Sequence, residues 1–141
     1  MTIRSYKSSD YEAIIANEKL ADMYDETWDS RANYEHLARM NPTNILVAEI
    51  DNKIVSSQII VPLGPDLAVL YRLNVLEKFR GQGIGDKMLE HAEIVAKNRG
   101  IKELGMYVDS TKSDLIKYYG KRNYKANSSV SYSYLWKNIA D

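Results

Sequence analysis

Six consecutive residues, 80–85, carry the chemistry that can be read most directly from this chain. They read Arg-Gly-Gln-Gly-Ile-Gly and place three glycines within five positions. Because glycine has no Cβ, a ligand can approach such a backbone closely. An apolar run over 68–75 precedes the loop and an amphipathic segment follows it, so we expect the loop at a strand-to-helix junction. A helix N-terminus offers unpaired N–H groups and a partial positive charge, so the loop predicts a phosphate or pyrophosphate ligand.

Two other phosphate-binding motifs fit this loop poorly. A P-loop ends in Gly-Lys followed by Ser or Thr, so that the lysine reaches the phosphates and the hydroxyl binds Mg²⁺. Here Gly85 is followed by Asp86 and Lys87. A dinucleotide-binding fingerprint has the spacing Gly-x-Gly-x-x-Gly in a first βα unit. Here the third glycine comes one residue early and the loop lies past the middle of the chain, which disfavours a nucleotide-binding regulatory domain.

Composition narrows the class of protein. The chain has 141 residues, which predicts a single domain over 1–141. Basic and acidic residues number 19 each, which argues against a nucleic-acid partner. The chain has no cysteine, so it has no disulfide, thiolate metal site or cysteine nucleophile. Without an apolar signal region or a run of roughly 20 apolar residues, we expect a cytoplasmic protein with no membrane partner.

Four helices are predicted along the chain, from the spacing of apolar residues and from residues that favour helix termini. Ser8 and Ser9 are candidates to cap the first helix, whose apolar stripe includes Ile14, Ile15 and Leu20. The other three helices are expected as follows: the second is capped by Ser30 and ends near Pro42, the third runs from the glycine loop to Arg99, and the fourth is capped by Thr111 and ends near Asn123.

Strands are predicted from period-two alternation and from short apolar runs bounded by turn residues. They are expected at 3–6, 44–50, 54–61, 68–75, 103–108 and 130–136. The predicted order is βααβββαβαββ, which has one strand more than these six ranges, and it indicates an α/β fold of packed layers built on one central mixed sheet.

Two segments carry a family resemblance. Arg80, Gly83 and Gly85 match the pattern Arg/Gln-x-x-Gly-x-Gly/Ala, which is the pyrophosphate loop of the GNAT superfamily of N-acetyltransferases. The segment from Tyr118 to Tyr124 resembles that family's Tyr-Glu-Lys-Leu-Gly-Phe, with Tyr119 on the tyrosine. The resemblance implies the GNAT fold, a twisted sheet in which strands 68–75 and 103–108 splay apart. It also implies acetyl-CoA as cosubstrate, with no metal.

The resemblance further implies how acetyl-CoA is held. Loop N–H groups bind the pyrophosphate, and the free edge of the splayed strand pairs with the pantetheine amides. An N–H near Val75 is a candidate to polarise the thioester carbonyl. Lys112 stands where the family often has a coenzyme-contacting Asn. The cofactor-binding residues predicted in this way are Leu73, Asn74, Val75, Arg80, Gly81, Gln82, Gly83, Ile84, Gly85, Asp86 and Lys112.

The chemistry implied is transfer of an acetyl group to a primary amine. Without cysteine, direct attack by the amine in a ternary complex is the simplest route. Tyr119 is the candidate catalytic acid, because a phenol with a pKa of about 10 is protonated at neutral pH and can protonate a leaving thiolate. Tyr118 is its neighbour and rival, and alignment with the motif favours Tyr119.

The general base and the acceptor are not fixed by the sequence. Asp109, Glu103, Tyr107 and a chain of water molecules all stay open as bases. The two histidines, at 36 and 91, lack metal-ligand spacing and are interpreted as surface or packing residues.

An acidic and aromatic stretch, 22–29, falls where this family lines its acceptor site. It is either a solvated face or a surface that attracts a cationic amine. The acceptor is expected to be a small-molecule or peptide amine, and the protein a monomer or homodimer. A non-catalytic CoA-binding module of the same fold is the alternative function.

Overall fold

The computed structural model describes residues 1–126 and Lys137. These residues fall into two compact units, one of residues 1–106 and one that begins at residue 107. The expectation of a single domain over 1–141 stays a prediction. The first unit contains β1 (Thr2–Ser5), α1 (Tyr11–Leu20), α2 (Arg31–Met40), β2 (Ile45–Ile50), β3 (Lys53–Pro62), β4 (Leu67–Val75), α3 (Ile84–Asn98) and β5 (Glu103–Gly105). The second unit contains α4 (Ser113–Gly120).

One five-stranded sheet, ordered β1-β2-β3-β4-β5, organises the first unit. The first three pairings are antiparallel and the β4–β5 pairing is parallel, with α3 as the crossover. The predicted α/β fold on a mixed sheet is thereby confirmed. The described elements follow the predicted order through α4, and the predicted strand 130–136 lies outside the described residues.

Helices cover both faces of the sheet. One hydrophobic cluster joins α1 and α2 to Val47 and Ile59 of the sheet. Leu46 and Ala48 are also fully buried, and neighbours along a strand point to opposite faces. Helix α3 packs against β2, β3 and β4 through its buried stripe, as its apolar spacing predicts. No helix in the described part of the chain is long and apolar enough to cross a membrane.

Two of the three predicted serine and threonine caps are wrong. Ser30 does cap α2, accepting a hydrogen bond from the Asn33 N–H at 3.1 Å. Ser8 and Ser9 instead lie in a short 3₁₀ turn, because the buried Asp10 carboxylate accepts the Lys7 N–H at 2.8 Å and fixes that turn. Before α4, Lys112 occupies the cap position that was expected for Thr111.

The apolar stripe of α1 also differs from the prediction. Leu20 is 80% exposed, whereas Glu18 is fully buried. The reason is helical geometry, since Glu18 lies four residues after Ile14 and three after Ile15, on the same face of the helix. A carboxylate therefore sits in the core at a position that periodicity assigns to an apolar residue.

Strand β5 is shorter than the predicted 103–108. Its ladder with β4 consists of three parallel pairs, from Leu67–Glu103 to Val69–Gly105. Strand β4 continues for six residues beyond the last pair, to Val75. The strands thus pair only at the start of β4, and 106–108 form no ladder among the described residues.

Candidate functional site

The glycine loop is an exposed turn that leads directly into α3. Gly81 and Gly83 have φ values of +76° and +80°, a left-handed conformation that side chains with a Cβ rarely adopt. A Cβ built at either position meets nothing within 4 Å, so the turn faces open space. The first intrahelical bond runs from the Lys87 N–H to the Gly83 carbonyl, so the N–H groups of Ile84 and Gly85 have no acceptor inside the helix. This is the geometry of an anion-binding helix N-terminus.

The Arg80 side chain ties this loop to the end of β4. Its Nε donates to the Val75 carbonyl oxygen at 2.9 Å. A 3₁₀ turn, Glu77–Phe79, connects the two segments, and Gln82 reaches back over it to the Lys78 carbonyl at 3.4 Å. The structure thus brings together the two predicted cofactor-binding segments, the loop and residues 73–75.

Strand β4 carries a β-bulge at the start of the second segment. The register pairs Ser57 with Asn74 and Ile59 with Tyr71. Between these pairs β3 has one residue and β4 has two. One of the two, Arg72, has a φ of +60°. A non-glycine residue in this conformation is unusual and frequently marks a functional site.

The acidic stretch lies against β4 at this bulge. Arg72 Nε donates to Asp29 Oδ1 at 3.1 Å, and the ring of Trp28 packs edge-on against Tyr71 with centroids 6.1 Å apart. The Asp29 side chain is fully buried, which the description of the stretch as a solvated face did not anticipate. Trp28 and Tyr24 remain 45% and 39% exposed, so aromatic surface of this stretch faces solvent, and Trp28 does so beside β4.

Two carboxylates of this stretch bind backbone groups of the stretch itself. Asp29 Oδ2 accepts the Asp25 N–H at 2.8 Å, and Asp25 Oδ1 accepts the N–H groups of Thr27 and Trp28. The backbone N–H groups hold the pKa of Asp25 below its usual range. These carboxylates order the loop, and the exposed acids of the stretch are Asp22, Asp25 and Glu26.

A second buried carboxylate lies next to Asp29. The hydroxyl of Tyr34 donates to Glu18 Oε1 at 2.7 Å. Within residues 1–126 no group donates to the other carboxylate oxygen, Oε2. Burial raises the pKa of Glu18 to about 7, with the nearby Asp29 carboxylate adding to the rise and the Tyr34 hydroxyl opposing it. Glu18 therefore titrates near neutral pH beneath the bulge.

In the second unit, Tyr118 and Tyr119 have different surroundings. The Arg122 guanidinium stacks 3.5 Å from the centroid of the Tyr118 ring. Tyr119 packs edge-on between Tyr118 and Tyr124, and burial raises the pKa of its hydroxyl while Arg122 opposes the rise. The phenol of Tyr119 is therefore protonated at neutral pH. That Tyr119 faces the cofactor stays a prediction.

The turn before α4 accounts for two other predicted residues. Asp109 Oδ1 accepts hydrogen bonds from the N–H and the hydroxyl of Thr111, at 2.9 and 2.7 Å. These bonds lower the pKa of Asp109, so its carboxylate holds the turn and is a weak proton acceptor. Lys112 is exposed at the N-terminus of α4, and Asn123 adopts a φ of +69° just after it, as expected for a helix stop. A contact between Lys112 and the coenzyme stays a prediction.

Comparison with known families agrees with this geometry. The model of the Acetyltransferase (GNAT) family matches residues 12–124, a range that contains β4, the glycine loop and Tyr119. The chain belongs to this family. A GNAT protein is an acetyltransferase, and its fold supports a cosubstrate of the coenzyme A type.

Individual relatives of this GNAT chain are distant in sequence, but they align with it over about nine tenths of both chains. An acetyltransferase of Pectobacterium atrosepticum is 29% identical over 127 residues, covering 89% of this chain and 88% of that protein. One of Sodalis glossinidius is 26% identical over 130 residues, covering 92% and 91%. Solved structures also share the fold. Ard1 from Thermoplasma volcanium has a TM-score of 0.76 at 18% identity, covering 86% of this chain and 80% of that chain. The PaiA N-acetyltransferase of Thermoplasma acidophilum, in complex with coenzyme A, has a TM-score of 0.73 at 23% identity, covering 86% and 87%.

None of the remaining candidate residues of the GNAT chain is buried. His36 is exposed on α2, His91 is half-buried on α3, and Glu103 is exposed at the start of β5. Tyr107 is 83% exposed. In the described ranges, no three His, Asp or Glu side chains are grouped as a metal site requires.

Sequence reasoning missed the polar groups beneath the bulge, Glu18, Asp29 and Arg72. A signal existed for Glu18, because its position continues the apolar stripe of α1. Asp29 was noticed as one acid of a charged stretch, and its burial had no local signal. Arg72 had none either, since its conformation follows from the register of β4 on β3.

Proposed function

We propose that this GNAT protein transfers an acetyl group from acetyl-CoA to a primary amine, by direct attack of the amine in a ternary complex. The observation that carries the proposal is the open left-handed turn at Gly81 and Gly83. This turn presents the N–H groups of the α3 N-terminus. The Arg80 side chain links the turn to the Val75 carbonyl, at the bulged end of β4. The turn suits a pyrophosphate, and the strand end suits an extended arm that carries a thioester.

Each predicted cofactor-binding residue has a role in this proposal. Residues 81–86 offer N–H groups and helix-dipole charge to the pyrophosphate. Arg80 adds a positive charge and fixes the loop to Val75. Residues 73–75 pair with the amides of the pantetheine arm along the edge of β4 that β5 leaves open. Lys112 contacts the coenzyme from the start of α4.

The chemistry requires one bond to form and one to break, while two protons leave the nitrogen of the protonated amine and one proton reaches the departing sulfur. The amine nitrogen forms a bond to the acetyl carbonyl carbon, and the carbon–sulfur bond breaks. A backbone N–H near Val75 stabilises the negative charge that develops on the carbonyl oxygen. Tyr119 donates its hydroxyl proton to the departing sulfur and regains one from solvent. The protonated amine, whose pKa is about 10.4 when unperturbed, loses one proton to water before the attack, and its nitrogen loses a second proton to water as the amide forms.

A binding test and an activity test separate the proposed enzyme from a non-catalytic module. CoA should raise the melting temperature of the protein, and ATP or NAD should raise it much less. Thiol release from acetyl-CoA is then measured with a panel of amines: small amines, amino acids, polyamines, aminoglycosides and peptides. CoA binding without thiol release for any amine contradicts the enzymatic proposal and supports the module. No CoA binding contradicts both.

Tyr119→Phe tests the assignment of the general acid, with Tyr118→Phe as its matched control. Loss of the proton donor should lower kcat about 100-fold and leave the Kd for CoA within about twofold. Tyr118→Phe removes the neighbouring hydroxyl from the same helix and should leave kcat within about threefold. The assignment fails if both variants keep wild-type kcat when chemistry limits the rate, or if Tyr118→Phe is the slower of the two.

A further inference from the structure

The β4 bulge depends on one residue in an unfavourable backbone conformation. Arg72 has a φ of +60°, in the left-handed region where a Cβ crowds the following carbonyl oxygen. No glycine or asparagine occupies the position to relieve this crowding. Such a conformation persists only where surrounding contacts hold it.

An ion pair supplies that contact. Arg72 Nε donates to Asp29 Oδ1 at 3.1 Å, and the Asp29 side chain is fully buried while that of Arg72 is 20% exposed. Asp29 is itself held in place, since its Oδ2 accepts the Asp25 N–H and its carbonyl accepts the Tyr11 hydroxyl at 2.6 Å. The pair thus anchors Arg72 to a fixed point in the loop between α1 and α2.

We propose that Arg72 and Asp29 are positioning residues of the acetyl-transfer site. Their ion pair holds the bulge, and the bulge sets where the backbone N–H groups of residues 73–75 point. The inference rests on the proposed function, because it is there that a backbone N–H near Val75 is assigned to the carbonyl of the acetyl thioester. Neither side chain takes part in the reaction, and each acts through the backbone of β4.

The arrangement of the extra residue supports this role. Arg72 and Leu73 together oppose a single residue of β3, so the bulge ends immediately before Asn74. A bulge bends its strand and re-aims the groups that follow it. If β4 were regular here, Asn74 and Val75 would be shifted by one residue and their N–H groups would exchange edges of the strand. The placement of the acetyl carbonyl is therefore tied to the backbone conformation of Arg72.

Two double variants that differ by one methyl group test the inference. Asp29→Asn/Arg72→Gly and Asp29→Asn/Arg72→Ala both lack the ion pair and leave no unpaired buried charge. Glycine adopts the left-handed conformation freely, whereas alanine favours loss of the bulge. The readout is the ratio of the Kd for CoA to the Kd for acetyl-CoA, measured by calorimetry. The acetyl group alone distinguishes these two probes, so a general loss of stability leaves the ratio unchanged.

The wild type and the glycine variant should prefer acetyl-CoA, and the alanine variant should lose this preference by about fivefold. Equal ratios for the two variants overturn the inference, as does a wild type that binds both probes equally. A wild type that binds neither probe overturns the proposed function instead. If the double variants do not fold, Asp29→Asn alone replaces them: a reduced ratio supports the inference, and an unchanged ratio in the folded protein contradicts it.

Discussion

The glycine turn and the β4 bulge both contain left-handed backbone beside the proposed position of the pantetheine arm. They stabilise that backbone conformation in opposite ways. Gly81 and Gly83 adopt φ values near +80° without a Cβ, in open space. Arg72 adopts +60° with a long side chain and depends on a fully buried carboxylate, Asp29. The conformation of the glycine turn needs only its own residues. The conformation of Arg72 depends on a tertiary contact, which exists only while the loop between α1 and α2 is folded against β4.

This difference predicts different vulnerabilities. A change in the turn should affect the ligand more than the fold, since the turn is exposed and makes few contacts. A change beneath the bulge should affect both, because buried charges there balance one another.

Asp29→Ala should have the largest effect on stability. It leaves Arg72 unpaired, removes the acceptor of the Asp25 N–H and opens a space in the core. We expect the free energy of unfolding, measured by urea denaturation, to fall by about 3 kcal/mol. Glu26→Ala, in the same stretch but exposed, should stay within about 0.5 kcal/mol of wild type. Equal losses for the two variants would show that the bulge region has no special dependence on Asp29.

Glu18→Gln should remove a pH dependence of stability. The pKa of Glu18 is raised in the folded protein to about 7, so between about pH 4.5 and 7 the folded state holds a proton that the unfolded state has lost. Stability from this group is therefore complete below pH 4.5 and is lost as the pH rises toward 7. Between pH 5 and pH 8 the loss is about 2–3 kcal/mol.

Glutamine keeps an acceptor for the Tyr34 hydroxyl and does not titrate, which makes it a close isostere. The measurement is the difference in unfolding free energy between wild type and Glu18→Gln at pH 5 and pH 8. Titrating groups that do not interact with Glu18 cancel in this difference. Parallel pH curves would mean that Glu18 ionises in the folded state as it does in an unfolded chain.

Gly83→Ala should have the smallest effect on stability but a specific effect on binding. Gly83 precedes α3 and Gly100 follows it, and both have positive φ and open space at the Cβ position. Replacing either by Ala should cost about 1 kcal/mol of stability. Only Gly83→Ala should weaken CoA binding, by about tenfold in a titration. Equal Kd values for the two variants would contradict the assignment of the turn to the pyrophosphate.

Features coded by short segments could be predicted from sequence. The glycine turn, the Ser30 cap, the α3 stripe and the order of elements through α4 each follow from residues within a few positions of one another. The same reasoning placed the last residue of β5 too far along the chain. The apolar character over 103–108 does not reveal where the pairing of β5 with β4 stops.

Features that depend on distant partners could not be predicted. One local feature was wrong as well: Thr111 was expected to cap α4, and Asp109, two residues before it, holds its hydroxyl in the preceding turn. Asp29 was grouped with exposed acids, since its burial follows from packing against Arg72, 43 residues away. The bulge lacks the glycine that often marks such an irregularity, so only the register of β4 on β3 reveals it.

The short β4–β5 ladder also bears on solubility. Beyond Val69, β4 has no strand partner on its β5 side among the described elements, and an open strand edge can pair with another copy of the chain and start aggregation. This edge is only six residues long, and the bulge at Arg72 makes its hydrogen-bonding groups irregular. Short, bulged edges are poor templates for intermolecular pairing. The irregularity that shapes the proposed acetyl site thus also makes this strand edge a poor template for self-association.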